Sequence, residues 1–274
     1  MTELPEMFDL TGRAALVTGG GGLLGKQFCK TLARAGAGVA VVDIDGEIAR
    51  AVVEEIKSEG GQAVGLVTDI TNSGSVATMM DETLKTFERL DILVNSAALD
   101  PKFDPDSIDA QGANAFETFP LEGWQQALDV NLTGMFLSSQ AAVKPMLQQG
   151  KGSIINLCST YGLGGPDQRL YQKEGQPPKY KPVTYTVTKA GVIGMTKYLA
   201  TYYGDKNIRV NALTPGGVYN QHDPEFVEAY AYRTVMGRMA EQHEMNGALL
   251  FLASDASSYM TGSNLVVDGG WTAW

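Results

Sequence analysis

Tyr185 and Lys189, in the run Tyr185-Thr186-Val187-Thr188-Lys189, are the residues of this 274-residue chain best suited to moving a proton. On a helix, side chains four apart share a face, so a phenol and an ammonium meet. An ammonium near a phenol favours the phenolate and lowers its pKa from about 10 toward neutral pH. A tyrosine tuned in this way gives or takes a proton at a carbonyl or hydroxyl oxygen. Most Tyr and Lys pairs at this spacing are a half-buried ring beside a solvated amine, so the pair acquires meaning only from its setting.

The setting begins with Thr18-Gly19-Gly20-Gly21-Gly22-Leu23-Leu24-Gly25, between an apolar run and a helical pattern. Glycine there lets backbone amides approach a pyrophosphate, and a helix N-terminus favours its charge. Asp43 follows about 20 residues later, at the end of the next apolar run. Its carboxylate can accept hydrogen bonds from both ribose hydroxyls of NAD and would repel the 2′-phosphate of NADP. No Arg or Lys lies in the glycine run or directly after Asp43 to offset that repulsion. Asp69 and Asn95 end the third and fourth apolar runs. Alone, each suits a turn cap; together they share an edge with the glycine run, which favours cofactor contact.

Strands and helices in alternation must hold these groups. Apolar runs read as strands over 14–17, 38–42, 63–67, 92–94, 153–157, 208–212 and 264–267. Helical spacing is read over 24–35, 47–59, 75–88, 124–148, 184–203 and 245–252. Continuous apolar strands separated by helices predict an α/β fold: a Rossmann-like, doubly wound, seven-stranded parallel sheet with helices on both faces. One domain over residues 1–274 accommodates all of it. Two polar stretches, 99–120 and 162–182, interrupt the rhythm after strands, on the edge where such sheets bind ligands.

Bulk composition narrows the partners. Residues are 44% hydrophobic and 19% charged, enough for a buried core. A formal charge of −10 argues against nucleic acid, which needs basic patches. No run is long and apolar enough for a membrane span, and no secretion signal is read at the N-terminus. Cys29 and Cys158 offer neither metal-ligand spacing nor a disulfide framework, so a reduced cytoplasmic setting without a metal site is expected. Cys29 reads as core, and strand alternation turns Cys158 away from Ser159 into packing.

In order along the chain, the glycine run, Asp43, Asp69, Asn95, Val130-Asn131, Ser153–Ser159, Tyr185–Lys189, Arg209-Val210-Asn211, Pro215-Gly216 and Asp268-Gly269-Gly270 resemble the classical branch of the short-chain dehydrogenase/reductase superfamily. That resemblance implies an NAD-dependent oxidoreductase acting on a secondary alcohol or ketone carbon. It implies Tyr185 as general acid/base, with Lys189 lowering its pKa and holding the nicotinamide ribose. Ser159 would stabilise charge on the reacting oxygen, and Asn131 would hold a water linking Lys189 to solvent. The cofactor contacts it implies are Gly19, Gly22, Leu23, Leu24, Asp43, Ile44, Asp69, Ile70, Asn95, Tyr185, Lys189, Pro215, Gly216, Val218 and Asn220. A homo-oligomer, dimer or tetramer, is common in the family, and Trp271 and Trp274 read as exposed candidates for subunit packing.

The departures concern the loop and the substrate side. Leu23 stands where the family usually has glycine, and Asn220 where it often has threonine. Ser159 and Tyr185 lie farther apart than is typical, through a polar insertion carrying Arg169, Lys173, Lys179 and Lys181. Lengthened polar loops suit a polar substrate. The branch is similar to sugar-modifying members of bacterial surface-glycan and flagellin-glycosylation pathways, which implies a polyol, sugar acid or nucleotide-linked sugar. Tyr161, Arg169 and His222 are the candidate substrate contacts, with Arg169 or a loop lysine meeting an anionic group. The alternatives are a 3-oxoacyl thioester reductase or small-alcohol dehydrogenase, an NAD-binding regulator, and a carbohydrate-binding module. The retained Tyr, Lys and Ser speak against the regulator, and nicotinamide binding would exclude the module.

Overall fold

A computed structural model describes residues 4–100 and 114–274. The middle of the polar stretch 99–120 therefore lies outside the described residues. The strands are β1 (Ala14–Thr18), β2 (Gly38–Asp43), β3 (Gln62–Val67), β4 (Ile92–Asn95), β5 (Gly152–Leu157), β6 (Ile208–Pro215) and β7 (Asn264–Val267). All pair in parallel, in the order β3-β2-β1-β4-β5-β6-β7. The chain runs outward from β1 to β3, then returns to place β4 on the other side of β1. That reversal opens a crevice at the carboxyl ends of β1 and β4, where doubly wound sheets take ligands.

The helices are α1 (Leu4–Met7), α2 (Leu23–Arg34), α3 (Gly46–Ser58), α4 (Ser73–Phe87), α5 (Leu121–Leu128), α6 (Gly134–Gln149), α7 (Val183–Tyr203), α8 (Pro224–Ala231) and α9 (Asn246–Ala253). Successive strand side chains point to opposite faces, and two cores result. Ala15 and Val17 of β1 belong with Phe28 and Leu32 of α2, Val52 of α3 and Leu249 of α9. Leu16 belongs with Met79 of α4, Met146 of α6 and Ala200 of α7. Helices thus cover both faces, as expected.

Three differences from the expectation have physical causes. Strands β1, β4 and β5 are buried throughout, but β3 alternates and Val67 is 68% exposed. As an edge strand, β3 has one neighbour and half the cover. The helix expected over 124–148 is broken by a wide π turn, Asp129–Thr133, between α5 and α6. Such turns mark sites where a side chain must leave the regular helical ladder, and here the buried Asn131 sits in it. Helix α8 was not anticipated; Asp223 caps it by accepting from the Glu225 amide, but eight residues leave little periodic signal.

Candidate active site

The glycine run wraps the carboxyl end of β1. Gly19 has φ +62°, and a side chain there would stand 2.7 Å from Ala97 Cα in the loop after β4. A Cβ on Gly25 would overlap the Gly19 carbonyl oxygen, so α2 starts in direct contact with the loop. Leu23 is the first residue of α2, with helical backbone, which explains why the absent family glycine is tolerated. Gly22, the N-cap, offers no side-chain acceptor. The first amides of α2 are left to serve an anion in the cleft.

A cleft of about 570 Å³, within the range of cofactor pockets, opens in front of this loop. Of the expected cofactor contacts, Gly19, Gly22, Leu23, Leu24, Asp43, Ile44, Asp69, Ile70, Tyr185, Lys189 and Pro215 line it. Asp43 accepts from the amides of Gly21 (3.0 Å) and Asp45 (3.2 Å), which orients its carboxylate. Lys189 is the one Lys or Arg among the described lining residues. The cradle that side chains on Gly19 and Gly25 would fill, the open amides and the acidic residue together fit a nicotinamide dinucleotide.

Four expected contacts lie off the lining. Asn95 is buried and turned inward, donating to Ser139 Oγ (3.0 Å) and Asn156 Oδ1 (2.8 Å). It braces β4 against α6 and β5. Gly216 donates its amide to the Val267 carbonyl (2.9 Å), Val218 bridges to Ala240, and Asn220 is exposed with its amide on His222 Nδ1 (3.2 Å). Asp69 lines the cleft while accepting from Thr71 N (2.9 Å) and Oγ1 (2.7 Å); these bonds hold its carboxyl below the usual range.

At the far end of the cleft stand Tyr185, Lys189 and Ser159. Tyr185 lies in the first turn of α7 and hydrogen-bonds Ser159, whose Oγ also accepts from the Tyr161 amide (3.2 Å). Lys189 is 5% exposed; its Nζ donates to the Leu157 carbonyl (2.9 Å) and lies 5.8 Å from the Tyr185 ring centre. Burial drives the Lys189 pKa down to about 8, and the nearby Lys181 charge adds to the fall. Asn131 clamps the Leu99 backbone, accepting from its amide (2.6 Å) and donating to its carbonyl (3.0 Å), and donates to Thr188 Oγ1 (3.1 Å).

The Tyr185 pKa lies above the ordinary phenol value, the reverse of the fall expected from Lys189. Burial raises the phenol well above its ordinary value, Asp100 raises it further, and the Ser159 hydrogen bond pulls only partly the other way. The ammonium closest over the ring is instead Lys181, 4.1 Å from its centre, with both Asp100 carboxylate oxygens at 2.7 Å. Asp100 is the site residue that sequence reasoning missed; Lys181 was read only as one of the insertion lysines that could meet an anionic group, not as standing over the Tyr185 ring. Lys181 had one signal, its place four residues before Tyr185, but Pro182 between them disguised it as loop.

The substrate side corrects two further expectations. The Arg169 side chain is 80% exposed and faces outward, with Nε 2.9 Å from Asp167 Oδ1 and Nη2 2.7 Å from Oδ2. It satisfies a neighbour two residues away instead of facing the cleft. Trp271 is half-buried, stacked on Tyr230 (4.3 Å between centres) and edge-on to Tyr161 (6.3 Å), because the chain end folds back beneath α8; Trp274 alone is exposed as expected. Tyr161 is buried, meets the Tyr185 ring edge-on at 6.4 Å and takes a 3.1 Å bond from the Tyr171 hydroxyl. His222 stacks on Phe226 (5.2 Å), its pKa lowered by burial and by Lys181. Lys173 pairs with Asp223 (2.7 Å), and Arg233 pairs with Asp167, so the insertion is fastened to the segment around α8. Cys29 and Cys158 are buried in the cores, as read.

Residues 22–272 match a family described as enoyl-(acyl carrier protein) reductase. A D-threitol dehydrogenase of Mycolicibacterium smegmatis is 34% identical over 282 residues, covering 99% of each chain. A 3-alpha-(or 20-beta)-hydroxysteroid dehydrogenase of Mycobacterium tuberculosis is 36% identical over 264 residues, covering 96% of this chain and 91% of that one. A gluconate 5-dehydrogenase from Burkholderia cenocepacia, solved with NADP and tartrate, superposes with a TM-score of 0.84 at 30% identity, covering 99% of this chain and 100% of that one. Alcohols of very different size are thus named among similar proteins.

Proposed function

Because this chain belongs to the short-chain dehydrogenase/reductase superfamily, we propose that it is an NAD-dependent oxidoreductase of the secondary carbinol in a polar, sugar-related substrate. The observation that carries the reading is one cleft holding Lys189 and the Ser159-bonded Tyr185 phenol at one end and the glycine cradle with Asp43 at the other. When bound, the nicotinamide supplies the hydride donor or acceptor. Gly19, Gly22, Leu23 and Leu24 hold its pyrophosphate, Asp43 and Ile44 the adenosine ribose, and Pro215 with Lys189 the nicotinamide end.

Tyr185 exchanges a proton with the substrate oxygen, and Ser159 donates to that oxygen as charge develops on it. Lys189 is poised to give up or regain a proton near pH 8. Asn131 bonds Thr188, next to Lys189, and holds the Leu99 backbone at the cleft wall.

Asp43 supports NAD over NADP, because a carboxylate at the end of β2, with Lys189 at the opposite end the one Lys or Arg among the described lining residues, would repel a 2′-phosphate. The gluconate 5-dehydrogenase was solved with NADP, so the preference rests on Asp43 and not on relatives. Polar loops and the named threitol and gluconate dehydrogenases support a sugar-related substrate. No helix among the described residues is long and apolar enough to cross a membrane; a cytoplasmic enzyme without a membrane partner completes the reading. A homo-oligomer, dimer or tetramer, is supported by an apolar groove on α6 and α7 that exposes Phe136, Tyr198 and Tyr202.

Fluorescence titration with NADH and NADPH, followed by an NAD⁺-linked absorbance screen over polyols, sugars and sugar acids, tests the proposal. NADH should bind more tightly than NADPH, and Tyr185→Phe should cut turnover by about 10³-fold while NADH still binds. Failure to bind either nucleotide overturns the reading.

A further inference from the structure

Lys181 has no part in the reaction as described, yet its ammonium is closer to the Tyr185 ring than that of Lys189, 4.1 Å against 5.8 Å from the centre. Its side chain is only 14% exposed. A buried ammonium is costly unless paired, and its ion-pair partner is Asp100, in the loop after β4, whose side chain is 47% exposed. The inner half of the pair is therefore the cation and the outer half is the anion. Lys181 also stands two residues ahead of α7, whose N-terminus has no side-chain cap and carries positive partial charge. Both features favour negative charge beside the catalytic phenol, and in this state Asp100 supplies it.

Arg169 and Lys173, also in the insertion, are placed differently. Arg169 is directed outward onto Asp167, and Lys173 is held by Asp223 and Glu225. Lys181 instead lies over the Tyr185 ring, and its charge also bears on Lys189 and His222.

We propose that Lys181 is the substrate-anion recognition residue, taking a carboxylate a short carbon chain from the reacting carbinol in exchange for Asp100. This rests on the dehydrogenase reading above and narrows its substrate class to hydroxy acids of the aldonate type. Asp100 acts as an internal stand-in that keeps Lys181 paired before substrate arrives. A neutral polyol leaves the Asp100 pair in place and gains nothing from it. An anionic substrate gains the charge-assisted bond.

The two partners then have opposite effects, which a merely structural ion pair would not give. Steady-state kinetics with NAD⁺ compare D-gluconate with D-sorbitol, matched in carbon skeleton, for wild type, Lys181→Met and Asp100→Asn. Wild type should prefer gluconate. Lys181→Met should lower the gluconate-to-sorbitol ratio of kcat/KM by about tenfold or more, and Asp100→Asn should raise it several-fold, mainly through KM. The same variants are titrated with gluconate and tartrate in the presence of saturating NADH, following nicotinamide fluorescence. Lys181→Met should weaken and Asp100→Asn tighten anion binding. Both variants falling together, or a ratio and an affinity that do not move, overturns the role of Lys181. Turnover of sorbitol with no preference for gluconate overturns it while leaving the dehydrogenase reading intact. Absence of turnover on every alcohol overturns that reading, and the anion titration then decides Lys181 by itself.

Discussion

The two ends of the cleft are built differently. The cofactor end is made of backbone: the turn after β1, the open amides of α2 and the ends of β2 and β3, all set by strand register. Its charged groups are aligned by short-range bonds: Asp43 by the amides of Gly21 and Asp45, and Asp69 by the amide and hydroxyl of Thr71. The substrate end is made of side chains from distant segments. Asp100 meets Lys181, Asp167 meets Arg233, Lys173 meets Asp223, and Tyr161 meets Trp271. A backbone cradle recognises a part common to every reaction of a family, and a side-chain wall can be rebuilt for each substrate. Threitol, gluconate and steroid dehydrogenases are similar to this chain at 34%, 30% and 36% identity, and their names differ in the alcohol they take.

The sharpest way to break this contrast is Gly25→Ala. Its Cβ would overlap the Gly19 carbonyl, and backbone cannot move aside as a flexible side chain can. We expect a loss of about 1–3 kcal/mol in stability and about tenfold or more in NADH affinity, read by urea unfolding and fluorescence titration. A variant that binds NADH like wild type would mean the cradle is not rigid.

Lys189 joins the two ends and gives a smaller, pH-dependent effect. Its folded pKa, about 8, lies below its ordinary 10.5. The unfolded chain therefore binds the extra proton between those values, and stability rises with pH across that window. The cost of burying the charge is fully present below pH 8 and gone above pH 10.5. Lys189→Met removes a cost of about 3 kcal/mol at most and also a hydrogen bond to Leu157 worth about 1 kcal/mol. The expected net gain is about 2 kcal/mol at pH 7, turning into a loss of about 1 kcal/mol above pH 10.5, in unfolding curves measured at both. A gain independent of pH would point to packing instead of charge.

The smallest effect is expected at the fastening between the insertion and the segment around α8. Lys173→Ala cuts an ion pair of two half-exposed groups, so the tyrosine and phenylalanine contacts remain. KM should rise no more than about twofold with kcat and NADH affinity unchanged. A larger change, or one in NADH affinity, would show that the two ends are coupled.

What could be read without coordinates follows from short-range regularity. β7 was read at its observed bounds because an apolar strand between turn residues declares itself locally. The α2 start and the Tyr185 and Lys189 pairing on α7 were legible for the same reason. Edges were less so: β6 runs on to Pro215, and the π turn at Asn131 interrupts what periodicity presented as one helix. Asn95 was assigned to the right strand end but faces inward, since sequence spacing says which edge a residue occupies and not which polar partners compete for its amide.

The sequence by itself determined the parallel sheet, the dinucleotide cradle, Asp43 and the spacing of Tyr185 with Lys189, because each depends on hydrophobic period, glycine or a fixed helical repeat. Tertiary structure alone decided that Arg169 faces outward, that Trp271 roofs Tyr161, and that Lys181 with Asp100, 81 residues apart, stands over the Tyr185 ring. Those choices are made by packing and charge pairing between loops, which leave no period in the chain to be read.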